Sequence, residues 1–213
     1  MNFLPEEIEQ YAMAHSETED PTLSQLTREI WQTMVMPRMS SGHFQGRYLS
    51  AISKMICPKN ILEIGTYAAY STWCLLEGLQ NDGKIITIDI NDELARIHQK
   101  YALLLDPMQR VQFMYGTAKS ILPNLPFEWD LVFIDADKES YIDYYEMILP
   151  SVRKGGWILI DNVLWSGKVV EPIKSGDIET RVLVELNERI TQDPRVENIL
   201  LPIRDGIMMA RKK

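Results

Sequence analysis

Cysteine and histidine are scarce in this chain of 213 residues, which has two cysteines and three histidines. Two cysteines cannot form a disulfide framework, and because Cys57 and Cys74 stand in apolar sequence, we expect both thiols to be reduced and buried. His15, His43 and His98 are scattered and have no identifiable serine or cysteine partner. The composition therefore argues against the catalytic triad of a hydrolase.

Basic residues and long apolar runs are also lacking. The chain has 22 Lys and Arg against 30 Asp and Glu, a formal net charge of −8 and a pI near 5. Contacts to phosphate groups need clustered Lys and Arg, so we expect no nucleic-acid partner. No run reaches the roughly 18 apolar residues of a membrane span, and the acidic first residues do not resemble a signal peptide. We expect a cytoplasmic protein without a membrane partner.

The hydrophobic pattern changes near residue 60. Before it, apolar residues recur at helical spacing, and after it short apolar runs alternate with helical stretches. Runs that are apolar at consecutive positions are typical of parallel strands buried on both faces. The last two strands are joined by R-D-G, which indicates a hairpin. The predicted helices are 5–15, 22–36, 47–57, 71–80, 92–104, 118–122, 140–150 and 177–191, and the predicted strands are 60–65, 84–90, 111–116, 130–135, 157–161, 196–202 and 206–211.

These elements predict a Rossmann-like α/β fold, in which a doubly wound, mostly parallel sheet ends in a C-terminal antiparallel hairpin. The length allows one sizeable domain, 1–213, with an N-terminal helical cap at 1–58 and an α/β core at 59–213. Polar residues follow four of the predicted strands at their carboxyl ends, where ligands bind in open α/β sheets. The sequence therefore predicts one site at that edge.

The turn after the first strand, Gly65–Ser71 (G-T-Y-A-A-Y-S), contains a single glycine. A pyrophosphate needs close approach of several backbone amides, and the fingerprint G-x-G-x-x-G is absent. Asp89, at the end of the next strand, can accept hydrogen bonds from both hydroxyls of a ribose, or it can cap the following helix. Glu63, inside the first strand, either caps amides of the turn or also contacts the ligand. The combination favours adenosine without pyrophosphate, and S-adenosylmethionine fits it.

Carboxylates form the second half of the predicted site. Asp135 follows the apolar run L-V-F-I, and Asp161 with Asn162 follows W-I-L-I. If these strands are neighbours, three hard oxygen ligands converge, which favours Mg²⁺, Ca²⁺ or Mn²⁺ over zinc. Such a cation can orient two adjacent hydroxyls and lower the pKa of a phenol, and Lys138 is then placed to take the proton. Turn capping is the alternative role of these carboxylates.

These residues belong to longer stretches that resemble a known family: L-E-I-G-T-Y-A-A-Y-S, D-G-K-I-I-T-I-D-I-N, D-L-V-F-I-D-A-D-K, Y-Y-E-M-I-L-P, G-G-W-I-L-I-D-N-V-L-W-S-G, D-P-R-V-E and L-P-I-R-D-G. From about residue 37 onward the chain resembles the cation-dependent O-methyltransferases of the caffeoyl-coenzyme A and catechol type. These are class I S-adenosylmethionine-dependent enzymes, commonly homodimers. The resemblance implies the metal ligands Asp135, Asp161 and Asn162 and the catalytic base Lys138. It implies a cofactor site formed by Met39, Ser41, Glu63, Gly65, Ser71, Asp89, Ala118 and Asp135.

Four positions depart from the family pattern. The family turn usually reads G-T-Y-T-G-Y-S, whereas this chain has Ala68 and Ala69, and alanine lacks the freedom of glycine at positive φ. We therefore expect either a slightly different turn or no need for that torsion. The phenylpropanoid enzymes commonly have Glu at the position of Gln45 and Asn at the position of Ser166. These differences argue against the plant coenzyme A substrate but not against the reaction.

Together, the residues predict a metal-dependent O-methyltransferase for a small aromatic compound with vicinal hydroxyls, catechol or caffeoyl-like. Tyr141 and Trp165 either form an aromatic wall for this substrate or serve ordinary packing. A nucleotide-linked oxidoreductase is an alternative, although such an enzyme would need the pyrophosphate-binding glycines that this chain lacks. A non-catalytic binding module is another, and it would tolerate replacement of Lys138 and the metal ligands. We expect specificity to depend on residues 163–180 and on the N-terminal helices.

Overall fold

The computed structural model describes residues 5–125 and 128–213, which form a seven-stranded sheet and eight α-helices. The helices are α1 (Glu6–Ala14), α2 (Pro21–Thr33), α3 (Gly42–Ile56), α4 (Tyr70–Leu76), α5 (Ala95–Leu105), α6 (Ala118–Ile121), α7 (Tyr141–Ile148) and α8 (Ile178–Gln192). The strands are β1 (Asn60–Ile64), β2 (Lys84–Asp89), β3 (Val111–Tyr115), β4 (Trp129–Ile134), β5 (Val152–Asp161), β6 (Val196–Leu201) and β7 (Ile207–Lys212).

The sheet has the strand order β3-β2-β1-β4-β5-β7-β6. Strands β1 to β5 are parallel, and β7 runs antiparallel between β5 and β6. The order reverses between β1 and β4, because the chain leaves β3 at one edge and returns beside β1. Ligands bind at such a switch point, outside the carboxyl ends of the strands. The predicted doubly wound sheet with a terminal antiparallel hairpin is confirmed.

An apolar core covers each face of the sheet. Successive side chains of a strand point to opposite faces, so Leu62 and Ile64 enter one core and Ile61 enters the other. The core around Ile61 also contains residues of α2 and α3, namely Leu23, Leu26, Ile30, Leu49 and Ile52. Helices α2 and α3 therefore complete one face of the sheet, whereas no residue of α1 is buried.

Two N-terminal boundaries differ from the sequence-based expectation. Helix α2 ends at Thr33, and Met34 already has an extended backbone. Helix α3 begins at Gly42, five residues before the predicted start at Arg47. The segment between these helices is therefore short, with one 3₁₀ turn at Pro37–Met39. No helix in the described ranges is long and apolar enough to cross a membrane.

Strand β5 is longer than predicted. It begins at Val152, so Gly155 and Gly156 lie inside the strand and do not form a turn before it. Gly155 has φ +76°, and opposite it the pairing register with β4 shifts between Trp129 and Leu131. Glycines in a strand interior often mark such an irregularity.

The expectation for the thiols is correct for only one of them. Both cysteines are free, and Cys74 is buried in α4, but Cys57 is exposed. Cys57 ends α3 in the left-handed conformation, with φ 50°. Helix ends commonly have this conformation, and here it leaves the thiol in solvent.

Candidate active site

Two adjoining cavities open at the carboxyl edge of the sheet. The larger cavity, about 740 Å³, lies between the turn after β1, the ends of β2 and β3, and the segment after α2. The smaller cavity, about 420 Å³, lies between the same turn, the start of α3, and the residues that follow β4 and β5. Six residues line both: Met39, Gly65, Tyr67, Asp135, Ala136 and Asp137. A ligand in one cavity would therefore be next to a ligand in the other.

Gly65 allows the two halves of the site to approach each other. Its φ is +96°, and a Cβ atom at this position would lie 1.7 Å from the backbone oxygen of Asp135. Only a residue without a side chain fits there. The turn after β1 and the residue that follows β4 are consequently in direct contact.

Tyr67, in this turn, is held at three points. Its backbone N–H donates to Oδ2 of Asp89 at 2.7 Å, and its carbonyl is 2.6 Å from Nε2 of His98. Its hydroxyl donates to the carbonyl of Met36 at 2.9 Å. Met36 belongs to the segment that lines the larger cavity, so Tyr67 ties the turn to that segment. His98 itself is fully buried, and burial lowers the pKa of its imidazole.

Asp89 and Ala118, two of the residues predicted to bind the cofactor, line the larger cavity. Besides the bond from Tyr67, the Asp89 carboxylate accepts one from the backbone N–H of Asn91 at 2.9 Å. The next helical turn is capped by Asn91, whose side chain accepts from the N–H of Glu93 at 2.9 Å. Asp89 therefore anchors the turn after β1 and is not the cap of the following helix.

Glu63 is fully buried behind the turn and is not among the residues that line either cavity. Its carboxylate accepts hydrogen bonds from the hydroxyls of Ser71 and Thr87, both at 2.6 Å, and from the hydroxyl of Thr72. These partners are hydroxyls and not amides of the Gly65 turn, which corrects the capping role expected from the sequence. Burial raises the pKa of Glu63 to about 7, although the hydroxyls oppose this shift.

The predicted oxygen ligands lie at the ends of the neighbouring strands β4 and β5. Asp161 is 3% exposed, and its Oδ1 accepts from the backbone N–H of Asn162 at 2.8 Å. Its Oδ2 accepts from the side-chain amide of Gln45 at 2.6 Å. Burial raises the pKa of Asp161, and the negative charge of nearby Asp135 raises it further. The structure thus brings the two carboxylates together, with Asn162 lining the same cavity.

Lys138 lies beside this pair. Its ammonium is 3.1 Å from Oδ1 of Asp135 and 2.9 Å from the carbonyl oxygen of Ala136. It also lies 4.9 Å from the ring centroid of Tyr141 and 5.7 Å from that of Trp165. All four neighbours interact favourably with a positive charge. The ammonium group of Lys138 is therefore held in place at the wall of the smaller cavity.

The other predicted site residues are distributed between the cavities. Met39, Gly65 and Asp135 line both, and Asp89 and Ala118 line the larger one. The smaller one is lined by Ser41, Ser71, Lys138, Asp161 and Asn162. Sequence reasoning did not assign Tyr67, Arg38, Arg204 or Asp205 to the site, although they line the smaller cavity. Arg204 and Asp205 belong to the R-D-G motif, which indicates a hairpin and is also part of the family-like stretch L-P-I-R-D-G.

The donor set near β4 and β5 is compatible with a hard divalent cation. Two carboxylates and an amide oxygen are ligands that Mg²⁺, Ca²⁺ and Mn²⁺ accept. A cation beside Asp135 and Asp161 would also relieve the repulsion that raises the pKa of Asp161. In residues 5–125 and 128–213, no group of three or more His, Cys, Asp or Glu is arranged to hold a metal. The predicted set has only two such residues, with Asn162 as the third donor.

Comparison with known proteins identifies the family. The sequence model of the O-methyltransferase family matches residues 13–213. Caffeoyl-CoA O-methyltransferase 5 of Nicotiana tabacum is 33% identical over 207 residues, which cover 91% of this chain and 85% of the relative. The chain belongs to the O-methyltransferase family. The predicted family is thereby confirmed.

Solved structures of O-methyltransferases share the whole fold. The enzyme from Bacillus cereus, in complex with SAH, has a TM-score of 0.88 and 29% identity, and the match covers 97% of each chain. TomG from Streptomyces achromogenes, in complex with SAM, has a TM-score of 0.87 and 25% identity, and the match covers 97% of this chain and 96% of TomG. The prediction of a SAM-dependent O-methyltransferase is confirmed by this membership, and the oxidoreductase and non-catalytic alternatives are set aside.

Proposed function

We propose that this O-methyltransferase transfers the methyl group of S-adenosylmethionine to one of two adjacent hydroxyls of a small aromatic compound, assisted by a divalent cation. The observation that carries the proposal is the adjacency of the two cavities, which share Gly65 and Asp135 in their common wall. A cofactor in the larger cavity and an acceptor in the smaller one would meet at this wall. The transfer needs no covalent enzyme intermediate, so positioning and electrostatics supply most of the acceleration.

The larger cavity is suited to the adenosine part of the cofactor. Each oxygen of Asp89 accepts one backbone hydrogen bond and has a lone pair left for a ribose hydroxyl. Met36, Ile88 and Ile90 supply apolar wall for the base. Met39 and Gly65 line both cavities, and we assign the methyl donor to their neighbourhood. The SAH and SAM complexes of the two related enzymes support S-adenosylmethionine as the cofactor.

The cation would be held by Asp135, Asp161 and Asn162, as Mg²⁺, Ca²⁺ or Mn²⁺. When bound, it would supply Lewis-acid chemistry that orients two hydroxyl oxygens and lowers the pKa of a phenol. The buried, hydrogen-bonded carboxylate of Asp161 supports this role, because an unpaired buried charge is otherwise costly.

Lys138 would accept the phenolic proton in its neutral amine form, because an ammonium group has no lone pair with which to accept one. Its Nζ lies at the cavity wall, 3.1 Å from Asp135, within reach of an acceptor bound next to that carboxylate. Tyr141 and Trp165 hold the lysine head in place. Trp165 also lines the cavity and can pack against a planar ring. We therefore assign proton transfer to Lys138 and ring positioning to Trp165.

The acceptor, the assembly and the location belong to the proposal as well. We propose a catechol-like or caffeoyl-like acceptor, a homodimer and a cytoplasmic location. The exposed apolar side chains of the N-terminal helices, Ile8, Tyr11 and Trp31, support association between two copies. The acidic balance of the chain supports the absence of a nucleic-acid partner.

Calorimetry with SAH and with NAD tests the cofactor. We expect SAH to bind and NAD not to bind, because the turn lacks the glycines that a pyrophosphate needs. Binding of NAD alone would contradict the proposal.

Methylation of a panel of catechols with and without chelator tests the cation. We expect chelation to abolish activity and added Mg²⁺ or Mn²⁺ to restore it. We also expect Lys138→Met to lower kcat by about 10²-fold to 10⁴-fold, the usual contribution of a proton-transfer residue. Full activity in the presence of chelator would show that the reaction does not need the cation. Full activity of Lys138→Met would show that Lys138 is not the residue that accepts the proton.

A further inference from the structure

Gln45 joins α3 to the end of β5 through a buried hydrogen bond. Its Nε2 lies 2.6 Å from Oδ2 of Asp161, although the two residues are 116 positions apart in the sequence. Gln45 is 2% exposed and Asp161 is 3% exposed. The side-chain amide nitrogen of Gln45 donates this bond and the carboxylate oxygen accepts it. This bond therefore fixes the direction of Oδ2 of Asp161 relative to α3.

Asp161 has no cation of its own within the described ranges. The ammonium of Lys138 pairs instead with Asp135, and no Lys, Arg or His nitrogen is found within ion-pair distance of Asp161 there. The two donors to Asp161 are the N–H of Asn162, on Oδ1, and the amide of Gln45, on Oδ2. With one donor on each oxygen, the carboxylate cannot rotate freely, and each oxygen has a lone pair left.

The position of Gln45 is set by close packing of α3 on α4. At the next residue, Gly46, a Cβ atom would lie 2.7 Å from Sγ of Cys74 and 2.7 Å from Cε1 of Tyr70. At Gly78, which follows α4, a Cβ atom would lie 2.1 Å from a backbone carbon of Ser53 in α3. The backbone that carries Gln45 therefore has no room to shift towards α4.

We propose that Gln45 is a positioning residue of the cation site: its amide orients the Asp161 carboxylate so that it can bind a divalent cation. The inference rests on the cation site of the proposed function. Partners of this kind typically change metal affinity by 10-fold to 100-fold when they are lost. As a neutral amide, Gln45 orients Asp161 without adding a third carboxylate to the site.

The test is direct titration of Mn²⁺ against the full-length chain, followed by electron paramagnetic resonance of the free ion. We expect Gln45→Leu, which removes the donor, to raise the Kd for Mn²⁺ about 10-fold or more. We expect Gln45→Glu, which adds a carboxylate oxygen beside Asp161, to lower that Kd below the value of the unaltered chain. In both variants the Kd for SAH should stay within about twofold, because Gln45 lines only the smaller cavity.

Ser50→Ala is the matched control. Ser50 is also a buried donor on α3, with its hydroxyl 2.7 Å from Glu77, but it lies outside both cavities. Its loss should leave the Kd for Mn²⁺ unchanged, and circular dichroism should report folded protein for all three variants. An unchanged Mn²⁺ Kd in folded Gln45→Leu would overturn this inference alone. Absence of Mn²⁺ binding by the unaltered chain would overturn both the inference and the cation part of the proposed function.

Discussion

Ala69 has a backbone conformation that alanine rarely adopts, with φ 64° and ψ 19°. The left-handed region costs a residue with a Cβ atom about 1–2 kcal/mol. Ala69 precedes α4, its N–H donates to the carbonyl of Thr66, and its carbonyl accepts from the N–H of Trp73. The expectation that alanine would avoid this torsion is therefore wrong: Ala69 adopts it, with backbone hydrogen bonds on both sides.

Replacing Ala69 by glycine should relieve this cost. We expect Ala69→Gly to leave the free energy of unfolding unchanged or to raise it by up to about 1 kcal/mol, since glycine also has more unfolded-state entropy. Ala68→Gly is the control, because Ala68 is equally buried and its φ is not positive. It should lose about 1 kcal/mol. Urea unfolding of both variants measures the difference, and equal losses would contradict a strained Ala69.

Glu63 should make stability depend on pH. Its pKa is about 7 in the folded chain, above its ordinary value of 4.5, so the folded state holds the proton more tightly than the unfolded state. The resulting stabilisation is present below pH 4.5 and is lost as the pH rises through 7, by up to roughly 3 kcal/mol. Glu63→Gln cannot titrate. Urea unfolding at pH 5 and pH 8 should show a steeper decline for the unaltered chain, and parallel declines would contradict the shift.

At the scale of elements, Tyr67 ties the turn after β1 to the segment after α2. Met34, Val35, Met36 and Met39, in that segment, line the larger cavity, and three of them are more than half exposed. Few buried contacts hold the segment, so the bond from the Tyr67 hydroxyl to the Met36 carbonyl is one of the interactions that order it. The tie places the segment over the proposed cofactor.

Tyr67→Phe should therefore weaken cofactor binding. One lost hydrogen bond of about 1 kcal/mol corresponds to about a fivefold increase in the Kd for SAH. Tyr145→Phe is the control, because its hydroxyl donates to Asp193 at 2.9 Å and it lines neither cavity. Calorimetry should detect the increase only for Tyr67→Phe. If both variants bind SAH as the unaltered chain does, the tie has no role in binding.

At the scale of the molecule, the predicted N-terminal cap, 1–58, consists of two unlike parts. Helices α2 and α3 share a core with β1, α4 and β2, and Leu26 and Ile30 in α2 are fully buried. Helix α1 has no buried residue, and Ile8 is 53% exposed. The first part belongs to the folded unit, and the second is available for contacts outside it.

This division predicts unequal effects of the same kind of substitution. Leu26→Ala leaves a hole in the core and should lower the free energy of unfolding by about 2–5 kcal/mol. Ile8→Ala, at an exposed position, should change it by less than about 0.5 kcal/mol. Thermal or urea unfolding measures both. A small loss for Leu26→Ala would mean that α2 is dispensable for the core.

Elements that depend on residues close together in the sequence were predicted better than elements that depend on distant residues. Strands β1, β2 and β4 were predicted closely. Each depends on its own short apolar run and on the turn residues that directly follow it. The start of β5 was missed because Gly155 and Gly156 are typical of a turn, and only pairing with β4 keeps them in a strand. Glycine by itself disfavours a strand, so hydrogen bonding to the neighbouring strand decides the conformation here.

By itself, the sequence determined the order of helices and strands, the single-glycine turn and the carboxylates at the strand ends, because each depends on residues near it in the chain. Only the tertiary structure decided that Gln45 bonds Asp161, that hydroxyls surround Glu63 and that two cavities share the wall at Gly65. These contacts join segments far apart in sequence. The packing of the helices against the sheet determines which residues form these contacts, and local sequence patterns do not predict that packing.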